Sequence, residues 1–127
     1  MSRILKRPPG AGEEEPLVVV GRLLGLADHL AARPRRGRAP YEARASKMLG
    51  GTWPITPASL RELQGMVRRD LGRPGTPRVY REALEEVESR LDGAELPAAV
   101  SARLGSWGQV VVGEKRQRAE LDQALDA

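Results

Sequence analysis

The fold of this chain is decided by the stretch from Thr56 to Leu91, TPASLRELQGMVRRDLGRPGTPRVYREALEEVESRL. Each half of the stretch begins with Thr-Pro. A threonine hydroxyl can accept a hydrogen bond from the free N–H groups of a first helical turn. Proline suits the next position because no N–H is needed there and its φ angle is already helical. The LGRPG segment between the halves combines glycine and proline in a way that ends helices. The stretch therefore predicts two helices, 57–71 and 77–91, joined by a tight basic turn.

Both predicted helices carry one apolar stripe at helical spacing. The stripe residues are Leu60, Leu63, Val67 and Leu71 in the first helix and Tyr80, Ala83 or Leu84, Val87 and Leu91 in the second. The turn and the start of the second helix are basic, with Arg73, Arg78 and Arg81, and glutamates follow. A helix-turn-helix has this arrangement, because its second helix enters the major groove with its N-terminal residues. An ordinary antiparallel helical hairpin has the same pattern and is the alternative.

The segment from Leu71 to Leu84, LGRPGTPRVYREAL, resembles the recognition region of winged-helix bacterial regulators. In those proteins a glycine-containing turn leads to a Thr or Ser cap and then to an Arg-Glu-Ala-Leu run. The resemblance is confined to this segment, and it implies a small β-hairpin after the recognition helix. The segment from Ser106 to Gly113, SWGQVVVG, is the strand candidate. A short β element near 107–112 is therefore expected.

The composition favours packed helices. The chain has 127 residues, of which 40% are hydrophobic and only 3% aromatic, so its core must consist of Leu, Val and Ala. Sheets prefer β-branched and aromatic residues. We expect a mainly α fold, a compact bundle of about five helices around the central pair. Short helices are also predicted over 40–49 and 96–104. The segment 16–32, PLVVVGRLLGLADHLAA, is predicted to be the most buried helix of the bundle, and the spacing of Gly21 and Gly25 would let another helix approach closely.

Three regions are predicted along the chain. Residues 1–15 form a flexible tail that mixes basic and acidic side chains, and residues 16–113 form a single helical domain. Residues 114–127 form a C-terminal helix. Its apolar edge is thin, and this is typical of helices that dock on a partner chain or on a second copy of themselves.

Charge is segregated along the sequence. The net charge is +4, but residues 1–81 hold 16 Lys and Arg against 7 Asp and Glu, and residues 82–127 hold 5 against 10. The basic loop RPRRGRAP, 33–40, resembles an AT-hook around Arg36-Gly37-Arg38. Arginine suits phosphate recognition because its planar guanidinium donates two parallel hydrogen bonds. The residues predicted to bind nucleic acid are Arg33, Arg35, Arg36, Arg38, Arg68, Arg69, Arg73, Arg78 and Arg81.

No enzyme, cofactor or metal site is expected. The chain has no cysteine, and its single histidine, His29, lies on an apolar helix where a core or rim position is commoner than catalysis. No phosphate-binding glycine loop and no metal-ligand spacing is present. No apolar run approaches the ~20 residues that span a bilayer. Residues 1–12 lack the apolar core of a signal peptide, so a cytoplasmic location without membrane contact is expected.

The sequence thus predicts a small non-enzymatic protein that binds nucleic acid, DNA rather than RNA, through the helix pair 57–71 and 77–91 and the loop 33–38. The alternative is a structural or assembly subunit of a larger nucleoprotein or viral complex. In that case the basic middle of one copy would meet the acidic end of the next. Both hypotheses imply self-association or a partner protein.

Overall fold

The computed structural model describes residues 15–33, 39, 41, 45, 47–48, 55–92 and 107–126. The helices of this part of the chain are α1 (Pro16–Ala31), α2 (Pro57–Asp70), α3 (Arg78–Leu91) and α4 (Trp107–Asp126). No strand occurs among the described residues, so the predicted mainly α class is confirmed, with four helices where about five were expected. The predicted helix 96–104 lies outside the described residues. Of the predicted helix 40–49, Ala45, Lys47 and Met48 are described and are helical.

The predicted β element near 107–112 is wrong, because these residues form the first turns of α4. They continue without a break into the predicted C-terminal helix, so 107–126 is a single element. Val110 is fully buried, whereas Val112 is exposed. A run of valines has only a weak local preference for a strand, and tertiary packing overrides it here. The hairpin that the winged-helix resemblance implied at this position is therefore replaced by a helix.

Helix α1 is the most buried of the described helices, as predicted, since nearly every residue from Leu17 to Leu30 is buried. It packs most extensively against α4. A Cβ atom added at Gly21 would lie 1.9 Å from the carbonyl oxygen of Val110, and one at Gly113 would lie 1.8 Å from the carbonyl oxygen of Val18. The two backbones therefore touch directly, and only glycine fits at these points. The close approach predicted for Gly21 is confirmed.

Helices α1 and α4 run parallel. Gly25 lies against the backbone of Glu114, and further along Asp28 pairs with Arg118. At the end of α1, the side chain of His29 contacts Asp122. Partners thus advance in the same direction along both helices, at a sequence separation that stays close to 90 residues.

Charged side chains join α1 to α4 beside the glycine contact. Arg22 is 7% exposed. Its two terminal nitrogens donate to the two carboxylate oxygens of Glu120, each at 3.1 Å, and one of them also donates to Gln117 at 3.1 Å. A buried guanidinium is tolerated only when its donors are satisfied in this way. The parallel dipoles of adjacent helices repel weakly, and these cross-helix bonds oppose that repulsion.

Helix α2 begins where the sequence predicts. Thr56 is its N-cap: the hydroxyl of Thr56 accepts from the backbone N–H of Ser59 at 3.0 Å, and the backbone N–H of Thr56 donates to the hydroxyl of Ser59 at 2.9 Å. Proline follows as the first helical residue. The predicted stripe is confirmed, because Leu60, Leu63 and Val67 are all buried in the shared core.

Replacing Thr56 by alanine is expected to lower the free energy of unfolding by about 1 kcal/mol, since an N-cap hydroxyl contributes roughly that amount. Urea denaturation monitored by circular dichroism measures the change. Thr56→Ser is the matched control, because serine keeps the hydroxyl that caps the helix. Equal losses from the two substitutions would contradict the cap that the structure shows.

Helix α3 runs antiparallel to α1. Tyr80, in the first turn of α3, meets His29 near the end of α1, whereas Arg90 lines a groove with Arg22, nearer the start of α1. The predicted stripe of α3 is buried at Tyr80, Leu84 and Val87, and Leu91 packs against the same core at its edge. Among the described residues, none of the helices combines the length and the apolar character needed to cross a bilayer.

Candidate nucleic-acid interface

The first turn of α3 is fixed in place by the side chain of Tyr80. The ring is fully buried, and its hydroxyl lies 2.8 Å from Nδ1 of His29. The other ring nitrogen of His29, Nε2, lies 2.7 Å from a carboxylate oxygen of Asp122. One chain of hydrogen bonds therefore links α3, α1 and α4, and the histidine takes the rim position that the sequence predicts.

The chemistry of these groups assigns the protons. An ionised carboxylate can only accept, so Nε2 of His29 donates to Asp122. In the neutral imidazole Nδ1 then accepts from the Tyr80 hydroxyl. This orientation prevents rotation of Tyr80 and so fixes the direction in which the first turn of α3 faces.

Arg33, at the end of α1, holds the α2–α3 turn against Tyr80. Its guanidinium carbon lies 5.6 Å from the centroid of the Tyr80 ring, a cation–π distance. A terminal nitrogen of Arg33 donates to the carbonyl oxygen of Gly75 at 3.3 Å. Arg33, the first residue of the predicted basic loop, therefore lies beside the turn and the first turn of α3.

The turn itself differs from the prediction in one respect. The second Thr-Pro does not cap α3, because the Thr76 hydroxyl donates backwards to the carbonyl oxygen of Arg73 at 2.9 Å and α3 begins at Arg78. The left-handed conformation falls on Gly75, with φ of 83°. No atom lies within 4 Å of a Cβ built at Gly75, so there is room for a side chain. Glycine is required there only because of the positive φ angle.

A buried carboxylate ties the end of α2 to the turn. Asp70 accepts from the hydroxyl of Tyr41 at 2.6 Å, and its other oxygen lies 2.9 Å from Nε of Arg73. The carboxylate needs these partners because it is only 7% exposed. Arg73 thus stabilises the turn, in addition to the nucleic-acid role predicted for it.

The predicted site residues fall into three groups. Arg33, Arg68 and Arg73 are engaged within the molecule; Arg68 pairs with Glu88 of α3. Arg69, Arg78 and Arg81 are exposed and form no ion pair with any residue that the structure describes. Arg35, Arg36 and Arg38 lie outside the described residues.

Arg61 is a basic residue that the predicted set omitted. It lies in the second turn of α2, is exposed, and has no ion-pair partner in the described ranges. Its position on the polar side of α2, away from the Leu60 stripe, was visible in the helical spacing. The Tyr80 network, in contrast, joins residues far apart in sequence and leaves no local signal.

A groove of about 340 Å³ separates α3 from α4. Its apolar wall is formed by Val79, Ala83, Leu121 and Ala124. Of its charged groups, Glu86 pairs with Arg90 at 2.8 Å and Glu120 pairs with Arg22, whereas Glu82 has no ion-pair partner among the described residues. The groove lies beside the face of α3 that carries Arg78 and Arg81, and it does not include them.

The environment of Tyr80 makes stability depend on pH. Burial raises the pKa of the Tyr80 hydroxyl above its ordinary value of 10.0, the positive charge of Arg33 partly opposes this, and Asp122 adds to it. Ionisation is then easier in the unfolded chain than in the folded one, so the folded state is favoured less as the pH rises past 10. We expect the urea midpoint to fall between about pH 9 and pH 11.

Tyr80→Phe is the control for this titration. The variant loses the hydrogen bond to His29, worth about 1 kcal/mol at neutral pH, and it has no hydroxyl to ionise. Its midpoint should therefore fall less steeply above pH 10 than that of the unaltered chain. Parallel pH profiles for the two proteins would show that Tyr80 does not contribute.

Comparison with known proteins identifies no relative: no protein-family model, curated protein or solved structure matches this chain. Within the described ranges, no group of three or more His, Asp and Glu side chains could hold a metal ion.

Proposed function

We propose that this chain is a small non-enzymatic protein that binds double-stranded DNA, with α2 and α3 acting as a helix-turn-helix-like pair and the loop 33–38 as an additional basic contact. A helix fits the major groove of B-form DNA, about 12 Å wide. The deep, narrow major groove of A-form RNA excludes it. The nucleic acid proposed is therefore DNA.

The observation that supports the proposal best is the state of the arginines at the start of α3. Arg78 and Arg81 lie one helical turn apart, are exposed, and pair with no carboxylate of the described part of the chain. The basic loop starts next to this turn, through the bond from Arg33 to Gly75. Cations that serve no internal purpose and gather at a helix N-terminus suit a phosphate or base contact in the groove.

Helices α2 and α3 approach each other closely at few points along their backbones. Side chains connect them far from the turn, since Gln64 and Arg68 both donate to Glu88 in the last turn of α3. In a helix-turn-helix the first helix crosses the backbone while the second enters the groove, and the proposal assigns these positions to α2 and α3.

Fluorescence anisotropy with a labelled duplex of mixed sequence tests the proposal. We expect binding at low salt that weakens by roughly 10³–10⁵ between about 50 and 200 mM salt, the range for about six to ten phosphate contacts. The control is a single strand of the same sequence at the same salt concentration. It carries phosphates but has no major groove, so it should bind more weakly than the duplex. No binding to the duplex at the lowest salt would rule out the proposed function.

The second candidate function, a structural or assembly subunit, is favoured by the segregation of charge. The counts given above amount to +9 for residues 1–81 and −5 for residues 82–127. Head-to-tail contact between these regions would build rings or filaments. Light scattering without DNA, at low and at high salt, distinguishes this candidate: particle mass should grow as the salt is lowered, whereas a constant mass would exclude it.

A further inference from the structure

The outer face of α3 carries two cations followed by two anions. Arg78, Arg81, Glu82 and Glu85 are all exposed. Arg81 and Glu82 follow Arg78 by three and four residues and Glu85 by seven, a spacing that places the four on the side of the helix opposite Tyr80 and Leu84. Glu82 lies at the edge of this side, because it also lines the groove between α3 and α4. At 1.5 Å per residue they extend over roughly 10 Å of helix. This length matches about three base pairs of duplex.

These four side chains remain unpaired although their spacing allows two ion pairs. Arg78 and Glu82 are four residues apart, as are Arg81 and Glu85, yet none of the four has an ion-pair partner among the described residues. In the same helix, Glu86 and Arg90 have the same spacing and do pair, at 2.8 Å. The sequence order of the two charges explains why one pair forms and the others do not. In Glu86 and Arg90 the glutamate comes first, which is the favourable orientation, whereas in the other two pairs the arginine comes first.

The first turn of α3 carries positive side chains at the end of the helix where the helix dipole is also positive. It contains Arg78 and Arg81 and no acidic residue, whereas a helix N-terminus is stabilised by negative charge. Folding gains nothing from this arrangement. Local rules are broken in this way mainly at functional sites.

The order of charges determines which part of DNA fits this face. A phosphate backbone would attract the arginines and repel Glu82 and Glu85. Base edges in the major groove present both kinds of partner: guanine offers the acceptors O6 and N7, and the amino group of cytosine donates. Arginine binds the guanine edge with two hydrogen bonds, and glutamate accepts from the cytosine amino group.

We infer that the outer face of α3 reads G·C base pairs in the major groove, with Arg78 and Arg81 donating to guanine and Glu82 or Glu85 accepting from cytosine. The inference rests on the proposed function and adds base preference to it. Exposed arginines of α2 such as Arg69 and Arg61 then contact phosphates and carry no base preference.

Selection from a pool of duplexes with a randomised centre tests the inference with the complete chain. Bound duplexes should be enriched in G·C at two or more neighbouring positions. Changing one of these pairs to A·T should weaken binding roughly 5- to 150-fold, which is the effect of one well-formed base contact. Equal recovery of all sequences would overturn the inference and leave non-specific DNA binding standing.

Variants of the acidic residues complete the test. Glu82→Gln and Glu85→Gln should between them abolish the preference for cytosine at one position, while Glu86→Gln, which removes a carboxylate that is already paired with Arg90, should leave base preference unchanged. If the two outer variants instead strengthen binding equally to G·C and A·T duplexes, the glutamates only repel phosphates and the inference is wrong. If the unaltered chain binds no duplex at all, the proposed function fails first, and the inference fails with it.

Discussion

Replacing Gly113 by alanine is expected to destabilise the fold by about 3 kcal/mol, the upper end of the cost of overpacking a core. The added Cβ would lie 1.8 Å from the carbonyl oxygen of Val18 and 2.9 Å from the backbone nitrogen of Arg22. Because these are backbone atoms, no change of rotamer relieves the overlap, and α1 and α4 must move apart. The loss of their contact outweighs the gain of roughly 1 kcal/mol in helix propensity.

Gly108→Ala provides a matched control in the same helix. No atom lies within 4 Å of a Cβ built at Gly108, so the substitution should stabilise the protein by about 0.4–1 kcal/mol through the unfolded chain. Chemical denaturation of both variants measures the difference. If Gly113→Ala is as stable as Gly108→Ala, the direct backbone contact between α1 and α4 does not exist.

Replacing Arg78 and Arg81 together by alanine is expected to weaken duplex binding at least about 30-fold, since each base contact contributes roughly 1–3 kcal/mol. Both side chains are exposed and unpaired within the described part of the chain, so the melting temperature should hardly change. The slope of affinity against salt should change little, because the two side chains contact bases and the number of neutralised phosphates stays the same. Anisotropy titrations at several salt concentrations provide both numbers.

Single substitutions allow a controlled comparison of these arginines. Arg78→Ala and Arg81→Ala each remove one positive charge from α3, and Lys115→Ala removes one from the exposed side of α4. Arg78→Ala and Arg81→Ala should each weaken duplex binding. Lys115→Ala should change the affinity only slightly, because it lowers the net charge without removing a contact. If all three variants bind duplex as the unaltered chain does, α3 is not the binding element, even in a protein that binds DNA through another surface.

Much of the helical layout could be predicted because its signals are local. The Thr56 cap, the stripe from Leu60 to Val67 and the bounds of α3 each depend on residues within a few turns of one another. The spacing of Gly21 and Gly25 also indicated a close helix contact. The identity of the helix that makes this contact depends on the whole chain, and the valines of α4 suggested a strand in its place.

Helical spacing could predict which arginines lie at the surface of the candidate site. It could not predict which of them form ion pairs. Helical spacing correctly left Arg78 and Arg81 exposed on α3. It could not show that Arg73 would pair with Asp70 or Arg68 with Glu88. It also gave no indication that Tyr80, a stripe residue, would bond to His29 and stack under Arg33, because those partners lie about fifty residues away.

The pairing of α1 with α4 also constrains how the chain is made. The ribosome synthesises α1 before α4. The backbone that covers Gly21 and Gly25 belongs to residues 110–114, about ninety residues later in the chain. Until those residues are made, the most apolar segment of the nascent polypeptide has no permanent cover, the condition in which chaperones bind and aggregates start. The large sequence separation of this contact also raises the contact order, so refolding should be slower than for a helical bundle whose neighbours are adjacent in sequence.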